Sequence, residues 1–314
     1  MSLVDHAIWW QVYPLGATGA PIRGHAEPGH RLTRLESWLD YAVELGCSGL
    51  LFGPIFRSTA HGYDTLDHFA IDPRLGDDDD FDRLVSGARD RGLAIMLDGV
   101  FNHVGAQHPM VSDPESPIRR VDGRPVGWEG HDDLVVLNHD DPRTVDLVVD
   151  VMLHWLRRGI AGWRLDVAYA VPTWFWRTVT DRVRQEFPDA VFVGEVIHGD
   201  FGRIADEGGL DSVTAYELWK GTWSSISARN FWELAHALER HDAFSAGHVL
   251  QTFVGNHDVS RIASVVGDAG SVLALAVLMT TPGMPSVYYG DEQGFRGEKG
   301  SSEWADDPMR PALP

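Results

Sequence analysis

The chain has 314 residues, 44% of them hydrophobic, and 46 acidic against 26 basic side chains give a net charge of −20. That length and apolar content exclude a disordered chain and suit one large α/β domain or two ordinary ones. The acidic balance disfavours nucleic acid and anionic membrane as partners, and the single cysteine, Cys47, excludes an internal disulfide and reads as an inert thiol in an apolar run.

The N-terminal stretch MSLVDHAIWWQVYP has no basic segment followed by a cleavable apolar one. No apolar run reaches membrane-spanning length, so a cytoplasmic protein is expected. Its second half, AIWWQVYP (7–14), is the first strand candidate, and LTRLESWLDYAVEL, starting near Thr33, is the first helix. CSGLLFGP (47–54) follows as a strand. The run Asp77 to Asp80 marks a helix start, because carboxylates favour the positive end of the helix dipole. DFDRLVSGARDRG then ends at a glycine cap, and LAIMLDGV (93–100) is the third strand.

Residues 104–142 break the rhythm: they are rich in Pro, Gly, Asp and His, with little periodicity. An insertion of that length is usually functional. TVDLVVDVMLHWLRRG restores an apolar stripe at i, i+3, i+4 and stops at two Arg and a Gly. GWRLDVA (162–168), AVFVGEV (190–196), SVTAYEL (212–218), HVLQTFVGN (248–256) and SVYYGDE (286–292) complete eight strand candidates. Between them lie the helical patterns PTWFWRTVTDRVRQEF, NFWELAHALERH and SVLALAVLMTTPG. Several strands are apolar throughout, as strands covered on both faces are.

Eight strands with crossover helices predict a (β/α)8 barrel, a TIM barrel, rather than an open doubly wound sheet. No glycine fingerprint for phosphate follows the first strand, which argues against a dinucleotide fold. The expected organisation is a barrel of residues 1–103 and 143–314, with a short lobe, 104–142, inserted after strand 3 over its mouth. About twenty polar, Pro-rich residues follow the eighth strand, too few for an eighth helix. Something else is expected to cover the groove between the first and last strands.

Chemistry collects at the C-terminal strand ends, where barrel active sites are built. Strand 3 ends in DGVFNH, with Asp98, Asn102 and His103; strand 4 carries Arg164 and Asp166. Strand 5 ends at Glu195, and strand 7 ends in Asn256, His257 and Asp258. Arg164 and Asp166, two residues apart, share one face of a strand. Such an Arg can hold the Asp ionised, while apolar surroundings would keep Glu195 protonated. One ionised and one protonated carboxyl is the pair that glycoside hydrolysis requires. Twelve Trp fit the same reading, since indole faces suit flat, partly apolar ligands such as sugars as well as a core. Taken singly, each residue also has a structural reading: an ion pair for Arg164–Asp166, a strand-end cap for Glu195, satisfied histidines for His103 and His257.

DGVFNH, GWRLDVAY, VGEV and FVGNHD resemble, in order and spacing, the four sequence regions of the α-amylase superfamily, glycoside hydrolase family 13. HGYDTLDH (61–68) and PGMPSVYYGDE (282–292) are similar to two further family segments. The resemblance covers nearly the whole chain. It implies Asp166 as nucleophile, Glu195 as general acid/base and Asp258 as transition-state stabiliser. It further implies His103 and His257 as hydrogen-bonding the sugar, Arg164 as orienting the nucleophile, Tyr63 as the platform beneath the sugar and Asp98 as a support. Where endo-acting amylases carry Lys-His, this chain has Tyr169 and Ala170, which weakens the family's structural calcium site. Asn102 alone matches a calcium ligand, with Asp132 and Asp133 as further candidates. The family's C-terminal β-domain is absent from the sequence, and GWRLDVA with His198 places the chain towards the cyclomaltodextrinase, neopullulanase or oligosaccharide-acting side.

The implied activity is retaining hydrolysis of α-linked glucans or maltooligosaccharides without a required cofactor. Alternatives are a transglycosylase or isomerase sharing the same covalent intermediate, an inactive barrel used for binding, and a metal-dependent hydrolase built on Asp98, His103 and His257. An uncovered barrel seam would also allow a homo-oligomer.

Overall fold

The structure, a computed structural model, describes residues 2–24, 27–301 and 304–314. Eight parallel strands form the central sheet: β1 Trp9–Val12, β2 Gly49–Phe52, β3 Ala94–Gly99, β4 Gly162–Leu165, β5 Val191–Gly194, β6 Ser212–Val213, β7 Gln251–Phe253 and β8 Met284–Tyr288. Neighbours in sequence are neighbours in space from β1 to β6 and from β7 to β8, and β8 pairs with β1. A parallel bridge between Thr214 and Gln251 joins β6 to β7 and completes the ring.

The crossover helices are α1 Leu32–Glu36, α2 Leu39–Glu44, α3 Asp78–Asp90, α4 Pro142–Arg157, α5 Thr173–Arg184, α6 Phe201–Gly208, α7 Tyr216–Ala228, α8 Phe231–Phe244 and α9 Ile262–Thr280. The helix expected from Thr33 to Leu45 is two helices, α1 and α2, separated at Ser37 and Trp38. The acidic run does open α3: Asp77 and Asp80 form a reciprocal capping box. Two helices, α6 and α7, have no counterpart among the sequence patterns. The strand expected over 212–218 ends at Val213, and its last three residues open α7. There the Thr214 backbone still bonds Gly194 O while its hydroxyl bonds the backbone of Val196, and the chain turns over the rim.

Period-2 alternation sorts the strand residues into two sets. Trp10, Val12, Leu50, Phe52, Ile95, Leu97, Trp163, Leu165 and Phe192 belong to the large buried cluster shared with the helices. The other set fills the barrel. Its lower layer is apolar: Trp9, Leu51, Met96, Val191, Val193 and Met284 pack together beneath Val4 and Ala7. Gly49 makes room for this plug, since a Cβ there would lie 2.7 Å from the Trp9 ring. Higher up the same inward rows become polar, with Gln11, Asp98, Arg164, Glu195, Thr214, Gln251 and Ser286 all buried. The barrel therefore has a greasy floor and a charged mouth.

Residues 103–105, 127–128 and 131–136 form a three-stranded antiparallel sheet over that mouth. Val104, Ile118, Val135 and Leu137 give it a small core of its own. No α-helix follows β8 among the described residues. Instead the last residues lace across the rim. Met309 O accepts from Tyr288 Oη (3.0 Å) and Arg261 Nη2 (2.8 Å), Pro311 O from Tyr289 Oη (2.7 Å), and the Leu313 amide donates to Ala17 O at 3.0 Å.

One sequence expectation, that no apolar run reaches membrane-spanning length, bears on the last crossover helix. Helix α9 has 19 residues with a mean hydropathy of 2.0, long and apolar enough by those measures to cross a membrane. The sequence pattern began this helix only at Ser271, after the polar Gly267-Asp268 interruption. Gly267 is non-helical (φ 72°, ψ 175°) and breaks the segment, so the longer uninterrupted piece is too short to span about 30 Å of hydrocarbon. In the fold α9 is the crossover from β7 to β8. Cys47 is partly buried, and burial pushes its thiol up to about 12, in keeping with an inert side chain.

The rim lacing gives a direct test. Gly16 packs against the Arg310 carbonyl so closely that any Cβ would collide with it. Gly16→Ala is expected to lose about 1–3 kcal/mol of stability as the terminal segment is pushed off the rim, read as a melting temperature lowered by a few degrees. An unchanged melting temperature would show that the segment does not hold the rim.

Candidate active site

The strand ladder places the two central carboxyls. β4 and β5 pair in register from Gly162–Val191 to Leu165–Gly194. Asp166 and Glu195 are the next residues of each strand, and the Glu195 amide still donates to Leu165 O at 2.9 Å. Parallel strands lie about 4.8 Å apart, so these side chains emerge side by side.

Arg164, on the same inward row, reaches all the central acids. Its Nη1 lies 2.7 Å from Asp98 Oδ2 and 3.1 Å from Asp166 Oδ1, and its Nη2 lies 2.6 Å from Glu195 Oε1. Arg164, Asp98, Asp166 and Glu195 are all buried. This corrects the sequence reading, in which Glu195 had no cation beside it. Glu195 is held twice more: Tyr216 Oη donates to Oε1 at 3.0 Å and the Val167 amide to Oε2 at 3.1 Å. Val167 takes a left-handed conformation (φ 41°, ψ 43°). A β-branched residue rarely adopts it, and here it aims the N–H at Glu195.

One guanidinium among three buried carboxylates would leave two negative charges uncompensated. Burial, reinforced by the charges of Glu195, Asp98 and Asp258, pushes the Asp166 carboxyl well above the usual carboxylate range despite Arg164. Asp98 shifts the same way, again chiefly from burial. The pairing of Arg164 with Asp166 was expected to lower that value; sharing the cation among three acids reverses the outcome. These upward shifts belong to the coupled group of acids rather than to one residue.

Asp258 has the opposite setting. Its side chain is one-third exposed to the mouth, with His257 Nε2 and Arg310 Nη2 each 3.0 Å from its oxygens. Partial burial opposes ionisation, but these two partners win and hold the carboxyl below the usual range. His257 Nε2 also meets Tyr63 Oη, which donates to Asp98 Oδ2 at 2.9 Å. A continuous polar path thus runs from Asp258 through His257, Tyr63 and Asp98 to Arg164. The Tyr63 and His257 rings are parallel within 4° at 5.3 Å, and Tyr63 is only 9% exposed, so little of its face is open. His103 packs parallel to Trp128 of the lobe. Burial lowers its imidazole to about 4, leaving it neutral, and its buried Nε2 has no hydrogen-bond partner among the described residues.

The sequence reading had no role for Arg310, Tyr216 or Asn256. Arg310 lies outside any recognisable strand end, and only the rim lacing brings it to Asp258 and over the Tyr13 ring at 4.5 Å. Tyr216 was hidden inside a supposed strand. Asn256 stood in the quoted motif; its amide donates to Tyr216 Oη at 2.9 Å, and its oxygen accepts from the Asp258 amide at 2.9 Å.

The metal readings fare differently. Asn102 is buried, with its amide spent on His103 Nδ1 at 3.1 Å. Asp132 and Asp133 are exposed on the lobe. Asp98 is spent on Arg164 and Tyr63, His103 Nδ1 on Asn102, and His257 on Asp258 and Tyr63. Among the described residues, the one group of three His or acidic side chains close enough for an ion is His30, Asp77 and Asp80 at the start of α3. There Arg83 and His30 already pair with Asp80. Neither the residues proposed for calcium, Asn102, Asp132 and Asp133, nor the Asp98, His103 and His257 triad belongs to that group.

Comparison with known proteins agrees with this geometry. The alpha amylase catalytic-domain family matches residues 31–119 and 129–311, with the gap falling in the inserted lobe. Intracellular maltogenic amylase of Bacillus subtilis is 31% identical over 94% of this chain and 56% of its own length. Neopullulanase 2 of Thermoactinomyces vulgaris is 35% identical over 82% of this chain and 48% of its own length. Among solved structures, the ligand-free cyclic alpha-maltosyl-(1→6)-maltose hydrolase of Arthrobacter globiformis superposes with a TM-score of 0.85 at 27% identity, covering 99% of this chain and 79% of that one. The chain spans about half the length of the curated relatives it matches. Four strand ends, one shared arginine and a family match across most of the barrel lead to one assignment: the chain belongs to the alpha-amylase family, in its catalytic domain.

Proposed function

We propose that this chain is the catalytic barrel of a retaining α-glycoside hydrolase acting on α-linked glucans or maltooligosaccharides. The observation that carries the proposal is the adjacency of Asp166 and Glu195 on neighbouring, in-register strands, both tied to Arg164. Retaining enzymes keep their two carboxyls about 5–5.5 Å apart, whereas inverting ones need about 6.5–9.5 Å to admit water. Relatives named maltogenic amylase, neopullulanase and cyclomaltodextrinase support the substrate class. That the Bacillus relative is named intracellular supports the expected cytoplasmic location.

In the proposed cycle Glu195 enters as the acid and Asp166 as the carboxylate. Glu195 gives its proton to the glycosidic oxygen while an Asp166 oxygen attacks the anomeric carbon. The C–O bond to the leaving sugar breaks, that sugar departs with a new hydroxyl, and a β-glycosyl ester forms on Asp166. Water then attacks the anomeric carbon; Glu195 takes its proton and Asp166 leaves as carboxylate. Two inversions restore the α-configuration. Asp258, held ionised by His257 and Arg310, faces the positive charge that develops on the ring. His103, neutral and with a free Nε2, offers a hydrogen bond to a sugar hydroxyl. Tyr216 and the Val167 amide fix the Glu195 carboxyl between its two tasks. The inactive-barrel reading loses ground, because all three carboxyls and their partners meet at one mouth.

Asp166→Asn is expected to lower kcat on maltotriose at least about 10³-fold with an unchanged or raised melting temperature, since a crowded buried charge is removed. Retention of most turnover would overturn the nucleophile assignment. The proton shared in this proposal by the coupled acids gives a second test. The alkaline limb of the kcat/KM profile reports its loss and lies above the ordinary carboxyl range of about 3.9–4.3. Asp98→Asn removes one negative charge and frees Arg164 for the other two acids. The proton is then held less firmly, and that limb moves to lower pH; no movement, or movement upward, contradicts the shared-charge account. Since Asp98 is spent on Arg164 and the Asn102 amide on His103, we further propose that turnover needs no ion: dialysis against a chelator leaves kcat unchanged, and a loss restored by calcium would refute this.

A further inference from the structure

A second cavity opens beside the catalytic mouth. It has a volume of about 380 Å³ and is lined by Trp219, Trp223, Val254, Asp258, Val259, Ser260, Ile262, Val265 and Lys299. That volume falls at the lower end of the roughly 300–1,000 Å³ of small-molecule sites. Asp258, one of the carboxyls of the mouth, also lines this cavity.

Its chemistry is divided. On one side stand two indoles one helical turn apart on α7, with ring centroids 5.9 Å apart. Trp219 lies parallel to Phe253 within 16° at 6.3 Å, and Lys220 Nζ sits 4.2 Å from the Trp223 ring centre. Both indoles are thus backed by neighbours. Val254 and Ile262 are buried and form an apolar base. The opposite rim is polar: Lys299 Nζ donates to Asp258 O at 2.9 Å and lies 2.9 Å from Asp306 Oδ1, and the Lys299 amide donates to Ser260 Oγ at 2.9 Å. A purely apolar ligand would leave this rim unmatched, and an anion would face Asp258. A pyranose ring fits the division, with C–H faces for the indoles and hydroxyls around its edge for the carboxylate, hydroxyl and ammonium groups.

We propose that this recess is a glucosyl-binding subsite, in which Trp219 and Trp223 hold the ring of an α-glucan next to the one bound at Asp166 and Glu195. The proposal rests on the glucan reading above and adds to it the place where a further ring is held and the residues that hold it. It makes the chain a better catalyst for oligosaccharides than for a single glycosyl unit, because affinity from the recess is available only to a substrate long enough to reach it.

The test uses Asp166→Asn as a non-turning-over parent, with calorimetric titration of maltohexaose and of 1-deoxynojirimycin, a single-ring probe for the cleavage point. Adding Trp223→Ala is expected to weaken maltohexaose about tenfold and to leave 1-deoxynojirimycin unchanged. Trp223 also packs against the α9 core, so Val265→Trp, which fills the recess from its wall, serves as a second variant; the same selective loss is expected. If the parent binds maltohexaose and both folded variants bind it equally well, the subsite is refuted while the glucan reading stands. Equal losses for both probes also refute it, because the effect is then not confined to the recess. If the parent binds no maltohexaose and the wild-type chain does not turn it over, the glucan reading fails, and the subsite with it.

Discussion

One guanidinium organises the mouth of this barrel. Arg164 touches Asp98, Asp166 and Glu195 from a fully enclosed position. A buried arginine without partners would be strongly destabilising, and so would three buried carboxylates without it. Each therefore requires the others, and the arrangement is as much a folding constraint as a chemical one. It also fixes the electrostatics. Because the single cation is divided three ways, burial prevails at Asp98 and Asp166 and raises both carboxyls, an effect that belongs to the coupled acids together. Asp258 makes no direct contact with Arg164 and pairs instead with His257 and Arg310.

The fold supplies that constraint through strand register. Inward rows that are apolar at Trp9, Leu51 and Met96 become charged at Asp98, Arg164 and Glu195 within a few residues. The floor excludes water from below; the lobe, the rim and Tyr63 restrict it from above. Charge interactions in such a place are stronger than they would be at a surface. Arg310 shows that the terminal segment belongs to this design. Its backbone closes the rim against Gly16 and Ala17 while its side chain completes the shell of Asp258.

Much of this was legible in the sequence, for physical reasons. Doubly covered parallel strands are apolar runs, so all eight could be found, and charges at their ends stand out against them. GWRLDVAY announced itself because Arg164 and Asp166 share a face. Electrostatics were read less well. Sequence neighbours suggested a private Arg164–Asp166 pair and an isolated Glu195, whereas the partners that decide the outcome come from other strands and from Tyr216. Arg310 was invisible because its position depends on how an irregular segment crosses the rim. Helix α7 was missed since Gly221 and its serines blur the period, and the true extent of α9 was hidden by the break at Gly267.

The central claim is that Asp166 carries the sugar between the two halves of the reaction. It is tested most directly by trapping that state. A 5-fluoro-α-glucosyl fluoride offers fluoride as a leaving group that needs no proton, while the ring fluorine slows hydrolysis of the ester that forms. Incubation followed by peptide mass analysis is predicted to show one fluoroglucosyl adduct, on the peptide containing Asp166 and at that residue. An adduct on Glu195 or Asp258, or fluoride release at full rate in the Asp166→Asn variant, would contradict the account.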